Sequence, residues 1–268
     1  MASTVEPWRP WSPDAGAATP GLTRVIGHRG AAARAPENTL AGLREAHRLG
    51  CAWVEFDVML SRDGVPVLIH DETVDRTTNG RGRVPDLTLA ELRSLDAGVR
   101  FGTRFPAEPI PTLDEVIDLC LELGLAANVE VKPARGYEPE TGTAVAEALL
   151  RRWPEDGARL LISSFERPSL QAALDAAPAI PRGLLAEPVP ADWEAAMLEY
   201  RCTTLNLSHR RVKPKELRAL ADRGVPVLLY TVNEPWRARD LLEAGAAGVF
   251  TDAPDGVLGA VGQLSPDR

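Results

Sequence analysis

The stretch VIGHRGAAARAPENTL, Val25 to Leu40, runs from an apolar strand through a turn into a helix. Val25 and Ile26 have the character of a core strand. Gly30 permits a sharp turn, and Asn38 is placed to cap the helix that follows. Between strand and turn stand His28 and Arg29. The chain has only four histidines, so one placed where a strand ends calls for an explanation.

The same unit repeats outward from this stretch. Strands are expected at Arg24–His28, Trp53–Val58, Ala126–Lys132, Arg159–Ser164, Arg182–Glu187, Thr203–Ser208, Val225–Val232 and Gly248–Asp252. Helices are expected between them, at Thr39–Leu49, Thr112–Leu123, Thr141–Arg152, Pro168–Ala176, Ala191–Tyr200, Pro214–Arg223 and Pro235–Ala244. TLDE (Thr112–Glu115) and TLAE (Thr88–Glu91) both fit a capping box. Pro214 and Pro235 fit a first helical turn. Gly50, Gly124, Gly224 and Gly245 stand where a left-handed helix end favours glycine.

Eight strands alternating with helices predict a TIM (β/α)8 barrel, with an open doubly wound sheet as the competing α/β fold. One connection is too long for a simple crossover. Residues 60–111, between the second and third barrel strands, hold a strand-like run VPVLIH, a polar loop and a short helix. They are expected to form a small insertion over one end of the barrel. The expected organisation is an N-terminal tail, 1–22, and one barrel domain, 23–268.

The bulk numbers narrow the function. The 268 residues carry a formal net charge of -8, which offers no general basic face for nucleic acid or anionic lipid. No run is long and apolar enough to span a membrane. The Pro/Ala-rich N-terminus lacks the pattern of a secretory signal, and its Trp8 and Trp11 are expected to pack on the body. Cys51, Cys120 and Cys202 are expected to be buried free thiols. A cytoplasmic protein without stable membrane association is the expectation. Oligomeric state leaves no readable trace.

The second strand reads AWVEFDVML. Trp53, Glu55 and Asp57 share one face, and Val54, Phe56 and Val58 take the other, toward the helices. Acids on an inner face are costly to bury unpaired, but at the C-terminal end of a barrel strand they reach the mouth, where barrel enzymes keep their sites. The third strand, NVEVKP, repeats the device with Glu130 and Lys132. Taken singly, these pairs suit structural ion pairing or backbone capping. Together on adjacent strands they suit a hard-oxygen site for Mg2+ or Ca2+, with Mn2+ also accepted.

His28 ends the first strand and His70 ends VPVLIH. Two such groups, one taking a proton and one giving it, serve hydrolysis. Metal ligation is the rival role. Arg29 offers bidentate recognition of phosphate, and Lys132 a compact charge beside it. Glu37 is either a loop-closing residue or a fourth acid of the site. His47 is expected on the surface and His209 in a structural role.

At these residues the chain resembles the glycerophosphodiester phosphodiesterase family. The matching pieces are GHRG, APENT, VEFDVMLSRDGVPVLIHDETVDRTTNGRG, NVEVKP, LISSF, YTVN and GVFTDAPD, running in order from Val25 to Asp255. RGLLAE, LNLSHRRV and YTVNEPWRARDLLEAG look closer still to the bacterial cytosolic enzyme of that family. The resemblance implies a barrel that hydrolyses a small-molecule glycerophosphodiester to sn-glycerol 3-phosphate and an alcohol. It implies Glu55, Asp57 and Glu130 as metal ligands, His28 and His70 as the acid/base pair, and Arg29 and Lys132 as phosphate ligands. Glu37 and Asn38 stand in or just behind this set. A lysophospholipase D-like enzyme is one alternative, but it needs a membrane-docking surface. A non-catalytic phosphate-binding barrel is the other, and it would be expected to lack part of this set.

Overall fold

The computed structural model describes residues 22–154 and 159–262. The N-terminal tail to residue 21, with the packing expected of Trp8 and Trp11, lies outside the described residues, as do residues 263–268. Eight parallel strands close into a barrel: β1 (Val25–Gly27), β2 (Trp53–Leu60), β4 (Ala126–Val131), β5 (Leu160–Ser164), β6 (Arg182–Ala186), β7 (Cys202–Ser208), β8 (Val227–Tyr230) and β9 (Gly248–Thr251). Closure comes from β1 pairing with β2 on one side and with β9 on the other. The fold is the TIM barrel that the alternation predicts, with every barrel strand end within two residues of its expected position.

Two apolar layers hold it together. Val54, Phe56, Val58, Ala127, Val129 and Val131 face outward onto the helices and pack with Leu43, Val116, Ile117 and Leu149. The inward faces of six strands meet in a separate cluster of Ile26, Trp53, Ala126, Leu161, Leu228 and Phe250. Registry sets these residues side by side: Ile26 is level with Trp53 and Phe250, and Trp53 with Ala126. Period-two alternation then dictates the next layer up. It contains His28, Glu55, Asn128, Ser163, Tyr230 and Asp252. An apolar floor therefore lies directly under a polar mouth. Leu22 also packs partly on that floor.

The helices α1 (Leu40–Arg48), α3 (Leu113–Leu123), α4 (Glu138–Arg152), α5 (Arg167–Ala176), α6 (Trp193–Glu199), α7 (Pro214–Asp222) and α8 (Pro235–Glu243) fall where alternation places them. Both expected capping boxes form, Thr112 with Glu115 and Thr88 with Glu91. The four post-helical glycines all have positive φ. Three readings change. The N-cap of α1 is Thr39, whose Oγ1 accepts from the Gly42 N–H, and not Asn38. Helix α4 begins three residues earlier than Thr141, because Pro139 occupies its first turn. A further helix, α9 (Pro254–Val261), closes the barrel after β9, in a segment whose two glycines hid it from the helical pattern.

Between β2 and β4 the insertion contains β3 (Pro66–Leu68), antiparallel to β2, and the short helix α2 (Leu89–Arg93). It has its own small core of Met59, Val67, Ile69, Val74, Val84, Leu92 and Ile110. The three cysteines are buried and free. No helix among the described residues is long and apolar enough to cross a membrane.

Candidate active site

At the C-terminal ends of β2 and β4, one carboxylate oxygen each from Glu55, Asp57 and Glu130 lies within 4.8 Å of the others. All three side chains are buried. Their surroundings split them. Burial, then the charges of Asp57 and Glu130, hold the Glu55 carboxyl well above the usual carboxylate range. Burial, then Asp57, pushes Glu130 up to about 7. Burial acts the same way on Asp57 but is outweighed by Arg29, His70, Lys132 and a hydrogen bond from Asn38, which hold it low. Glu55 Oε2 accepts the Arg29 backbone N–H at 2.9 Å, while its Oε1 is buried without a hydrogen-bond partner among the described residues. Three hard oxygen donors that repel one another, with one such orphaned atom, fit a divalent cation.

Asn38 explains why Asp57 stays in place. Its Nδ2 donates to Asp57 Oδ2 at 2.9 Å, and its Oδ1 accepts the Asp57 N–H at 3.1 Å. Asn38 adopts φ 55 to do this, a conformation that asparagine tolerates better than most residues. The residue expected at a helix start instead braces an acid of the site.

Arg29 also has positive φ, and Gly30 follows at φ 85. A Cβ on Gly30 would meet the Gly42 backbone at 2.5 Å, so only glycine fits this turn over α1. The Arg29 guanidinium donates to Glu37 at 2.8 Å and lies 3.3 Å from Asp57. Burial works against its charge, but Asp57, Glu37 and Glu55 outweigh burial and raise its pKa. Glu37 does not join the carboxylate group. It is held low, against burial, by Arg76 and Arg29. Lys132 Nζ donates to Glu130 at 3.2 Å and stands 5.7 Å over the Phe165 ring.

Both histidines hold a carboxylate on Nδ1. In His28 it is Asp252, at 2.6 Å; in His70 it is Asp71, also at 2.6 Å. An Nδ1–H given to the carboxylate leaves Nε2 bare for proton transfer. His28 Nε2 lies 3.8 Å from Glu55. Burial, with Arg29 and Lys132, lowers the His70 pKa despite Asp57 and Asp71. Asp252 is itself fixed: Asn233 Nδ2 donates to it at 2.8 Å, and Asn233 Oδ1 accepts its N–H at 2.8 Å. Neither residue was singled out from sequence, although both stand in the quoted YTVN and GVFTDAPD pieces. Arg76 was missed in the same way. His47 is exposed, as expected. His209 lies outside the cavities of the mouth; both its ring nitrogens lack a hydrogen-bond partner among the described residues.

Two cavities meet over these groups. The inner one, about 180 Å³, is lined by His28, Arg29, Glu55, Asn128, Tyr230 and Phe250 among others. The outer one, about 550 Å³, includes Met59, Asp71, Glu72, Pro133 and Glu166. His70, Glu130, Lys132 and Phe165 border both.

An oxygen-donor cluster, two histidines and two cations at the mouth of a (β/α)8 barrel define the class as a barrel hydrolase of phosphate esters. The chain belongs to the glycerophosphoryl diester phosphodiesterase family, whose model matches residues 28–256, and it is a phosphodiesterase. A glycerophosphodiester phosphodiesterase of Caldanaerobacter subterraneus subsp. tengcongensis is 37% identical over 240 residues, covering 89% of this chain and 98% of the relative. An Oleispira antarctica phosphodiesterase, solved with the product sn-glycerol-3-phosphate, is similar with a TM-score of 0.87 at 39% identity, covering 90% of this chain and 98% of that one. A glycerophosphodiester phosphodiesterase from Agrobacterium tumefaciens gives 0.74 at 28% identity, covering 89% and 100%.

Proposed function

We propose that the chain hydrolyses glycerophosphodiesters, such as glycerophosphocholine or glycerophosphoethanolamine, to sn-glycerol 3-phosphate and an alcohol. The observation that carries this reading is the carboxylate group of Glu55, Asp57 and Glu130 with His28 and His70 beside it at one cavity. The product bound by the Oleispira relative supports the same chemistry.

Glu55, Asp57 and Glu130 would hold the divalent cation, Mg2+ or Ca2+ with Mn2+ also suited. When bound, it supplies positive charge against the phosphodiester oxygens. Arg29 and Lys132 bind the phosphate and stabilise charge that grows on it in the transition state. A phosphodiester has two ester arms, and two cavities meet along an edge that carries His70 and Lys132. The phosphate belongs at that edge. The smaller inner cavity takes the glycerol and the larger outer one takes the head-group alcohol. His28 borders only the inner cavity and acts as base on the nucleophile, which is water or the substrate's own glycerol hydroxyl; in the second case the alcohol departs from a cyclic phosphate, which water then opens to glycerol 3-phosphate. His70 borders both cavities and protonates the departing alcohol.

The test is a panel of glycerophosphodiesters assayed with each metal and with chelator, on the wild type and on His28→Ala and His70→Ala. Each histidine variant should lose about a hundredfold or more in turnover while still binding metal. Near-normal turnover in either removes that residue from its role. Loss of bound metal in either variant would make that histidine a ligand instead. Activity untouched by chelator would refute the metal, and no release of glycerol 3-phosphate from any diester would refute the substrate class.

A further inference from the structure

His70 and Arg29 come from different parts of the chain, yet one side chain joins their partners. Arg76, in the polar loop of the insertion, donates from Nε to Asp71 Oδ2 at 2.5 Å and from Nη2 to Asp71 Oδ1 at 3.2 Å. The same guanidinium donates from Nη1 to Glu37 Oε2 at 2.6 Å and from Nη2 to Glu37 Oε1 at 2.8 Å. Asp71 holds His70, and Glu37 holds Arg29. The result is an unbroken row: His70, Asp71, Arg76, Glu37, Arg29. The backbone under Arg76 is braced in turn, since Arg100 donates to the carbonyls of Asp75 and Arg76 at 3.2 and 3.1 Å.

We infer that Arg76 is a positioning residue for phosphodiester hydrolysis: it sets the orientation of the His70 imidazole through Asp71 and governs the reach of the Arg29 guanidinium through Glu37. The inference rests on the roles proposed for His70 and Arg29.

Charge and geometry both lead there. The Arg76 side chain is 47% exposed, so a single ion pair at this position would contribute little to stability. A guanidinium that grips two carboxylates bidentately is a different object. It fixes two planes at once, which no ammonium can do. Before substrate arrives, two cations, Arg29 and Arg76, balance two carboxylates, Glu37 and Asp71. Without Arg76, the Glu37 carboxylate has Arg29 as its one remaining guanidinium partner among the described residues. Glu37 then competes with the incoming phosphate for that guanidinium. Asp71 keeps its contact with His70 but loses the guanidinium that fixes its plane, so the anchor of the His70 ring is loosened. The first effect weakens substrate binding and the second slows proton transfer. An error of about 1 Å in such a group costs on the order of a hundredfold in rate.

The experiment measures kcat and KM with glycerophosphocholine and saturating divalent cation for Arg76→Ala and Arg76→Lys, with thermal melts of each. Arg76→Ala should keep its fold, lose roughly ten- to a hundredfold in kcat and raise KM severalfold. Added ethylguanidinium should restore part of the kcat, while ethylammonium at the same concentration should not. Arg76→Lys keeps the charge without the double fork and should fall between wild type and Arg76→Ala. It also carries the test should Arg76→Ala fail to fold. Kinetic constants within twofold of wild type in the folded variant would overturn the inference. So would a loss that ethylguanidinium leaves unchanged, because the side chain would then act by some other route. His70→Ala and Arg29→Ala, measured alongside, separate the two levels. Both near normal would sink the site assignment itself; both crippled beside an unimpaired Arg76→Ala would sink only this inference.

Discussion

The two site carboxyls that are held up, Glu55 and Glu130, should make the metal-free protein less stable as pH rises through the neutral range, and replacing one of them should lessen this fall. The group to use is Glu130, whose carboxyl is pushed from 4.5 to about 7 by burial and then by Asp57. Between those values the folded chain keeps a proton that the unfolded chain has released. Stability therefore falls with rising pH across that window and stays lower above about 7. A displacement of about 2.5 pH units at 1.36 kcal/mol each is roughly 3 kcal/mol. For a chain of this size that is on the order of 6–12 °C in Tm. Glu55 adds to the fall, since its carboxyl is also held up. His70, whose pKa burial lowers, opposes it on the acid side. Asp71, brought to about 2 against burial by Arg76 and His70, has already made its contribution by pH 5. Glu130→Gln removes one contribution and leaves the rest. Its side chain is only 12% exposed, so little solvent screening applies. Thermal melts in chelator at pH 5, 6, 7 and 8 should show the variant overtaking the wild type as pH rises, by roughly the amount above at pH 8. A saturating divalent cation should close the gap from the wild-type side. A difference between the two proteins that stays flat from pH 5 to 8 would refute the reasoning.

Other expectations follow from single contacts. Asp252→Asn keeps the volume but weakens the anchor on His28 Nδ1. Its kcat should drop about tenfold or more, with KM within twofold, and an unchanged kcat would show that His28 needs no such anchor. Asn38→Ala removes both hydrogen bonds to buried Asp57. Divalent-cation affinity by calorimetry should fall about 10- to 100-fold, and an unaltered affinity would refute the bracing role.

Much of this was legible in the sequence because it is written with short periods. Trp53, Glu55 and Asp57 had to share a face, and their apolar alternates had to face the helices, from alternation alone. The same rule placed Glu130 with Lys132. Glycines at helix ends and the two capping boxes marked boundaries for the same local reason. What stayed hidden was contact across the barrel. Asp252 meets His28 across 224 positions, and no local pattern encodes that. Asn38 illustrates a second cause. An asparagine before a helical run is a fair N-cap, yet Thr39 took that place, and the demand of a buried aspartate decided the role of Asn38. Arg76 looked like one more charge in a polar loop until Asp71 and Glu37 were found on either side of it.

The apolar floor of Ile26, Trp53, Ala126, Leu161, Leu228 and Phe250 has a kinetic consequence. It makes the mouth a well with one door. With this floor filled by buried side chains, both products would leave by the way the substrate came in. The proposed placement puts the alcohol in the more open of the two cavities. That placement predicts ordered release, alcohol first, with glycerol 3-phosphate, the last to depart, competing with substrate for the free enzyme.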